Sequence, residues 1–372
     1  LKVNIQPVKI SFSTNHQPKN NLNSPSSSTY QNLKQPVLDT VTFSAAARPQ
    51  NRFKKAPAVL SGEVVGAHEK FKTDRKKEYT FINSTIKAKK RVSKTDEPSK
   101  PIDARIINAR NCNIERILEA PDVNLKKTTV SEVRAGNLTM ADNSNAATVE
   151  LRSQTIAHAN ISDSTIGCVA LFTNDPIKGG RNLIDNELTV NNSTIKQIRY
   201  PETRPSQNIF YITNNSKIGP MDFYQIRHKQ VLDASDSHIE KFIDTRVPLS
   251  KITLHNTKID ELRCNPQNLK MSGNNELGDV TFSCFFYEPG EDIEVTIPKG
   301  TNINGDIVFE QVENIPGANY IINVEEGAQL NGQVFVLKQN PKYEVKYFPS
   351  SSKPIEDKSA NLIINRDVKP KK

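Results

Sequence analysis

Ile252–Leu262 reads I-T-L-H-N-T-K-I-D-E-L, with apolar residues at Ile252, Leu254, Ile259 and Leu262 and polar residues between them. Alternation of period two places successive side chains on opposite faces of an extended chain. Asn256-Thr257 interrupts the alternation, and Asn is a residue that tolerates the backbone of a sharp bend. The stretch therefore reads as strand, bend, strand.

The same order recurs in V-L-D-A-S-D-S-H-I-E-K-F ending at Phe242, I-F-Y-I-T-N-N-S-K-I ending at Ile218 and L-T-V-N-N-S-T-I-K-Q-I ending at Ile198. Its central apolar residue falls at Ile86, Ile114, Val130, Ile166, Ile195, Ile218, Ile239, Ile259, Leu277, Ile303 and Leu330. From Ile218 to Leu277 the steps are 21, 20 and 18 residues. The 36-residue gap between Val130 and Ile166 predicts a degenerate copy around Val149–Ile156. No sustained 3.6-residue periodicity supports a helical repeat, and the L-x-x-L-x-L frame of leucine-rich repeats is missing. The fold class expected is all-β, a single-stack parallel β-helix (β-solenoid) of roughly 11–12 turns in which each turn packs only on its neighbours. With strands about 4.8 Å apart, the rod would be on the order of 55 Å long.

Only 35% of the 372 residues are hydrophobic and none is Trp, which suits a slender core flanked by disordered ends better than several globular domains. The domain reading is a disordered basic tail over 1–56, a solenoid over 57–348 with inserted loops at 87–101, 174–182 and 200–208, and a disordered basic tail over 349–372. Net charge is +12 over 1–100, −6 over 101–352 and +3 over 353–372. Positive charge thus lies toward the ends, and no nucleic acid is expected on the solenoid body. Val8–Phe12 and Val37–Phe43 are short strand-like patches within the first tail. No segment approaches the ~20 apolar residues of a membrane helix. Leu1–Thr14 lacks the apolar core of a secretory signal, so a cytoplasmic location is expected, or a secreted or cell-surface one if the chain has been trimmed.

The C-terminal turns V-T-I-P-K-G-T-N-I-N-G-D-I-V-F (Val295–Phe309) and I-N-V-E-E-G-A-Q-L-N-G-Q-V-F-V (Ile322–Val336) resemble the G-x-x-I-x-G-x-I rungs of the bactofilin family. That resemblance covers about two turns and implies a polymer-forming, cytoskeletal-like protein with a β-helical core between disordered tails. The earlier turns, rich in Asn-Ser-x-Ile, are similar to the broader pectate-lyase-like β-helix group.

Stacking Ile239, Ile259 and Leu277 creates outward columns Glu240, Asp260, Gly278 and Lys241, Glu261, Asp279. Like carboxylates one strand apart repel and want a cation or a shared proton. One reading is a candidate catalytic or Ca²⁺ centre built from Glu240, Asp260 and Asp279 with Arg263 beside them, the metal candidates being Glu240 and Asp260. The plainer reading, preferred because charge runs on exposed strands are common, is a solvated face with a Lys241–Glu261 cross-strand pair. His238 and His255 are expected to point outward without a visible partner. Cys264 and Cys284 continue apolar alternations and read as small buried hydrophobes, a disulfide between them being the competing reading. No motif implies a cofactor. The leading expectation is a non-enzymatic scaffold that self-associates, its basic tails recruiting an acidic partner or anionic surface. The alternative is a protein that binds or cleaves polysaccharide.

Overall fold

Among the described residues each Asn-Ser or Asn-Thr pair marks a corner where the chain turns from one strand to the next. In the computed structural model Asn83, Asn192, Asn214 and Asn256 take φ of 50°, 45°, 54° and 48°, the left-handed region that Asn tolerates best after Gly. Gly300 and Gly327 replace them at the later corners, both with φ of 85°. The structure describes residues 59–66, 74–88, 99–152, 156–171, 185–199, 207–223, 229–244, 250–284, 287, 290–311, 318–338, 355–356 and 360–369. The expected tail 1–56, the loop 174–182, residues 89–98 of the expected loop 87–101 and residues 200–206 of the expected loop 200–208 lie outside these residues.

At most of these corners the residue that follows turns inward and carries a hydroxyl, as Ser84, Thr128, Ser164, Ser193 and Thr257 do. Backbone N–H groups donate to the equivalent side chain one coil on: Thr128 to Ser144 Oγ (3.2 Å), Ser164 to Ser193 Oγ (3.0 Å) and Thr257 to Asn275 Oδ1 (3.0 Å). A buried polar column is thereby satisfied along the axis instead of being left dry. Asparagines at the corners add an outer ladder, as where Asn111 Nδ2 donates to Asn83 Oδ1 at 2.7 Å.

Beyond each corner the chain enters a short strand whose central residue pairs in parallel with its equivalent. The register runs Val65, Ile86, Ile114, Val130, Ala146, Ile166, Ile195, Ile218, Ile239, Ile259, Leu277, Ile303, Leu330. Every apolar residue named in the sequence column is present and in order. Two members, Val65 and Ala146, join it, so the stack is longer than the expected turns by the first coil. The degenerate copy is the strand Asn145–Leu151, and its first-face residue is Ala146.

A second face stacks Leu118, Val133, Val149, Val169, Ile198, Met221, Phe242, Leu262, Val280 and Ile307. A third face carries two inward columns, one of them Leu188, Phe210, Leu232, Ile252. The result is an all-β parallel solenoid with one continuous core. Each fully buried Ile, Leu or Phe contributes roughly 1.5–3 kcal/mol. Phe210, Phe223 and Phe242 meet across the core with ring centroids 5.5 and 5.9 Å apart.

Close rung spacing also dictates glycines. A Cβ on Gly219 would lie 1.9 Å from the Lys196 carbonyl oxygen, and one on Gly278 would lie 2.1 Å from that of Asp260. Among the boundaries read from sequence, Asn208 belongs to the strand Asn208–Thr213 and not to the preceding loop. Within 349–372, read as a disordered tail, Ile355–Glu356 pairs antiparallel with Leu337–Lys338, and Asn361–Val368 pairs in parallel with Asn319–Glu325. The reason lies in N-L-I-I-N, whose asparagines continue a side-chain ladder. No helix among the described residues is long and apolar enough to cross a membrane.

Candidate functional site

Outward positions on the first and second faces hold the predicted acidic column. Register places Lys241 opposite Glu261 and Glu261 opposite Asp279, with Glu240 and Asp260 on the neighbouring outward positions. Glu240, Asp260 and Asp279 are all exposed. Lys241 Nζ meets Glu261 Oε2 at 2.9 Å, the cross-strand pair of the plainer reading.

Asp260 does not face Glu240 as half of a dyad. Its Oδ2 lies 2.8 Å from His238 Nε2, and its Oδ1 lies 3.6 Å from Lys258 Nζ. His238 is therefore partnered, which corrects the expectation that it stands alone. His255 is partnered as well, its Nδ1 lying 3.1 Å from Ser272 Oγ. The histidine reaches Asp260 diagonally, one rung up and two residues along, a geometry within range of long side chains.

Asp279 is committed elsewhere. Its Oδ1 accepts from the backbone N–H of Asp306 at 3.1 Å, and Asp306 Oδ1 accepts from that of Gln333 at 2.9 Å. These carboxylates stitch successive coils where glycine corners leave backbone donors open. Arg263 pairs with Glu310, half-buried on the second face, and so does not complete an acidic centre with Glu240. Calcium takes six to eight oxygen ligands. Two exposed carboxylates on a strand face, one of them turned to an imidazole, do not approach that number. Among the described residues no three His, Cys, Asp or Glu side chains come together as metal ligands.

Beside the column lies a shallow trough of about 390 Å³ along the corners, bordered by Lys217, His238, Lys258, Asp236, Asn256 and Glu276. It mixes both charges, and Asp236 Oδ1 is already bound by Asn256 Nδ2 at 3.0 Å.

An ion network unmarked in the sequence reading occupies the second face nearer the N-terminus. Arg134 Nε lies 2.6 Å from Glu132 Oε1 and 3.1 Å from Glu150 Oε2, and its Nη1 lies 3.4 Å from Glu119 Oε2. Arg152 Nη2 closes on the same Glu150 oxygen at 2.5 Å. Burial works against the Arg134 charge, but the three surrounding carboxylates outweigh it and raise its pKa. The signal was available in Glu119, Arg134 and Glu150, which come into register once Asn145–Leu151 is counted as a coil.

Inside the core the unexpected group is Asp244, 2% exposed. It continues the inward alternation of Phe242 and lies next in line to Cys264, its N–H donating to the Arg263 carbonyl at 2.8 Å. Neither carboxylate oxygen completes a hydrogen bond of good geometry. Burial pushes its pKa up to about 7, the nearby Ser250 hydroxyl pulling the other way. Cys264 and Cys284 are free, buried thiols. Burial raises both pKa values, and Asp244 adds to the effect at Cys264.

Among the aromatic residues, Phe210 and Phe223 are core residues and Tyr211 is exposed, while Tyr224 lies outside the described residues. No protein-family model matches the chain, and no curated protein or solved structure matches it either.

Proposed function

We propose that the chain is a non-enzymatic structural β-solenoid that associates with copies of itself, its basic segments recruiting an acidic partner or anionic surface. The observation that carries this reading is how the charged side chains of the candidate site are used. Asp260, Glu261 and Asp279 each hold a neighbouring rung, through His238, Lys241 and the Asp306 N–H respectively, and Arg263 reaches Glu310 two rungs on. Groups committed to rung-to-rung bonds serve the rigidity of a scaffold more directly than chemistry on a bound substrate.

Self-association draws support from the exposed apolar side chains of the terminal coils. Val59 and Val64 in the first described coil are 39% and 67% exposed, and Ile364 in the last strand is 38% exposed. Edge strands of a parallel stack are templates for further pairing unless they are blunted. The bactofilin-like glycine turns over Val295–Val336 point in the same direction, as a resemblance only.

Sedimentation velocity across protein concentration and salt tests the proposal, with concentration-dependent oligomers expected. A chain that stays monomeric at high concentration and low salt overturns it. A panel of acidic glycans, with and without Ca²⁺, tests the opposing polysaccharide reading. Cleavage of any glycan that is lost in Asp260→Asn would replace the scaffold with an enzyme.

A further inference from the structure

We propose that the C-terminal strand Asn361–Val368 is exchangeable between copies, so that its seat along Asn319–Glu325 accepts the same strand from a second copy of this chain. The inference rests on the self-association reading and names the contact through which it occurs.

The seat is specific. Asn361 Nδ2 donates to Asn319 Oδ1 at 2.5 Å, and Asn319 Nδ2 donates to Asp292 Oδ1 at 2.6 Å. Four residues on, Asn365 Nδ2 donates to Asn323 Oδ1 at 2.8 Å, and Asn323 Nδ2 to Glu294 Oε1 at 2.5 Å. Two parallel ladders thus fix the register of an incoming strand with Asn at positions i and i+4, and this chain carries such a strand. An exchanged strand would form the same bonds in trans as in cis, which is why swapping an identical element is an inexpensive route to a dimer.

The hold is also light. None of the side chains of Asn361–Val368 is fully buried, whereas Tyr320, Ile322 and Val324 of the strand beneath are 1%, 0% and 3% exposed. The register shifts between Asn323 and Glu325, and Asp367 takes φ of 56°. Elements with little apolar burial open at low free-energy cost.

The tether favours exchange as well. Asn319 is reached from the preceding strand, which ends at Gln311, through the seven residues 312–318. Asn361 follows Lys338 only after the 22 residues 339–360, anchored on the way by the two pairs Leu337–Glu356 and Lys338–Ile355. Once those two pairs open with the strand, the 22-residue tether lowers the effective concentration of its own strand at the seat, and a second copy then competes more easily.

The test places Asn319→Cys on one full-length copy and Asn361→Cys on another, mixes them, and adds a short bis-maleimide. A single chain carrying both substitutions must cross-link within the monomer, since failure there removes the seat itself and overturns the proposal. The mixture is expected to yield a covalent heterodimer joined at positions 319 and 361, mapped by mass spectrometry. Its yield should rise with concentration and fall at least tenfold when the Asn361→Cys copy also carries Ile363→Pro. If the mixture gives no such product while the unmodified chain sediments as an oligomer, strand exchange falls and self-association stands. A chain that is monomeric at every concentration and gives no product removes both.

Discussion

Asp244 sits where its neighbours along the column are Phe223 and Cys264, and a carboxylate there is neutral or costly. Its folded pKa of about 7 lies above the ordinary 3.8, so between those values the native state binds more protons than the unfolded chain. The stability associated with this group is fully present below pH 3.8 and is lost as pH rises through 7. The integrated loss is roughly 4 kcal/mol by linkage, as an order of magnitude. Urea unfolding of the wild type should therefore give a higher midpoint at pH 5 than at pH 8, after allowance for other groups. Asp244→Asn should flatten that part of the slope and raise stability at pH 8. An unchanged pH profile in Asp244→Asn would mean that the side chain reaches water in solution.

At the scale of the coil, the left-handed corner does most to define the strand-to-strand turn. Asn256 combines φ of 48° with bonds on both sides, its Nδ2 to Asp236 Oδ1 and its Oδ1 from the backbone N–H of Asn274 at 2.8 Å. Asn256→Ala should lose both the backbone tolerance and the two bonds, at a cost of about 2–3 kcal/mol. Asn256→Gly keeps the backbone conformation and should cost less. Thermal unfolding of the pair separates the two contributions, and equal losses would show that the corner geometry carries no share. These corners were legible in the sequence because Asn-Ser or Asn-Thr, one further residue and then Ile recurs at Asn83, Asn192, Asn215 and Asn256. The strand Asn145–Leu151 was misplaced because its marker position is Ala146, too small to register as an apolar peak. Asn361–Val368 was missed because its mostly exposed pattern resembles that of a tail. In the candidate site, Lys241–Glu261 could be read because the two residues lie straight across from each other. His238–Asp260 could not, because a diagonal contact depends on side-chain direction as well as register. Asp244 is not legible because hydrophobicity marks the inward positions, and a charged residue in phase with Phe242 carries no such mark.

For the whole stack, stability is a sum of coil terms and nearest-neighbour contacts, so loss of order need not be all-or-none. The central coils carry the aromatic cluster of Phe210, Phe223 and Phe242, and Phe282 packs on Phe309 with centroids 5.4 Å apart nearer the C-terminus. Among the described residues the terminal elements have a neighbour on one side only, and Asn361–Val368 adds little buried apolar surface. Amide hydrogen exchange under native conditions should then show a gradient. Protection should be greatest for Asn208–Thr213 and Gln230–Ser235, lower for Val59–Ser61, and lowest for Asn361–Val368. If that last strand exchanges between copies, its protection should also rise with protein concentration, while the central coils stay constant, because only a contact made between molecules responds to mass action. Uniform protection along the chain would instead indicate a single cooperative unit, in which the coils do not contribute as separable terms.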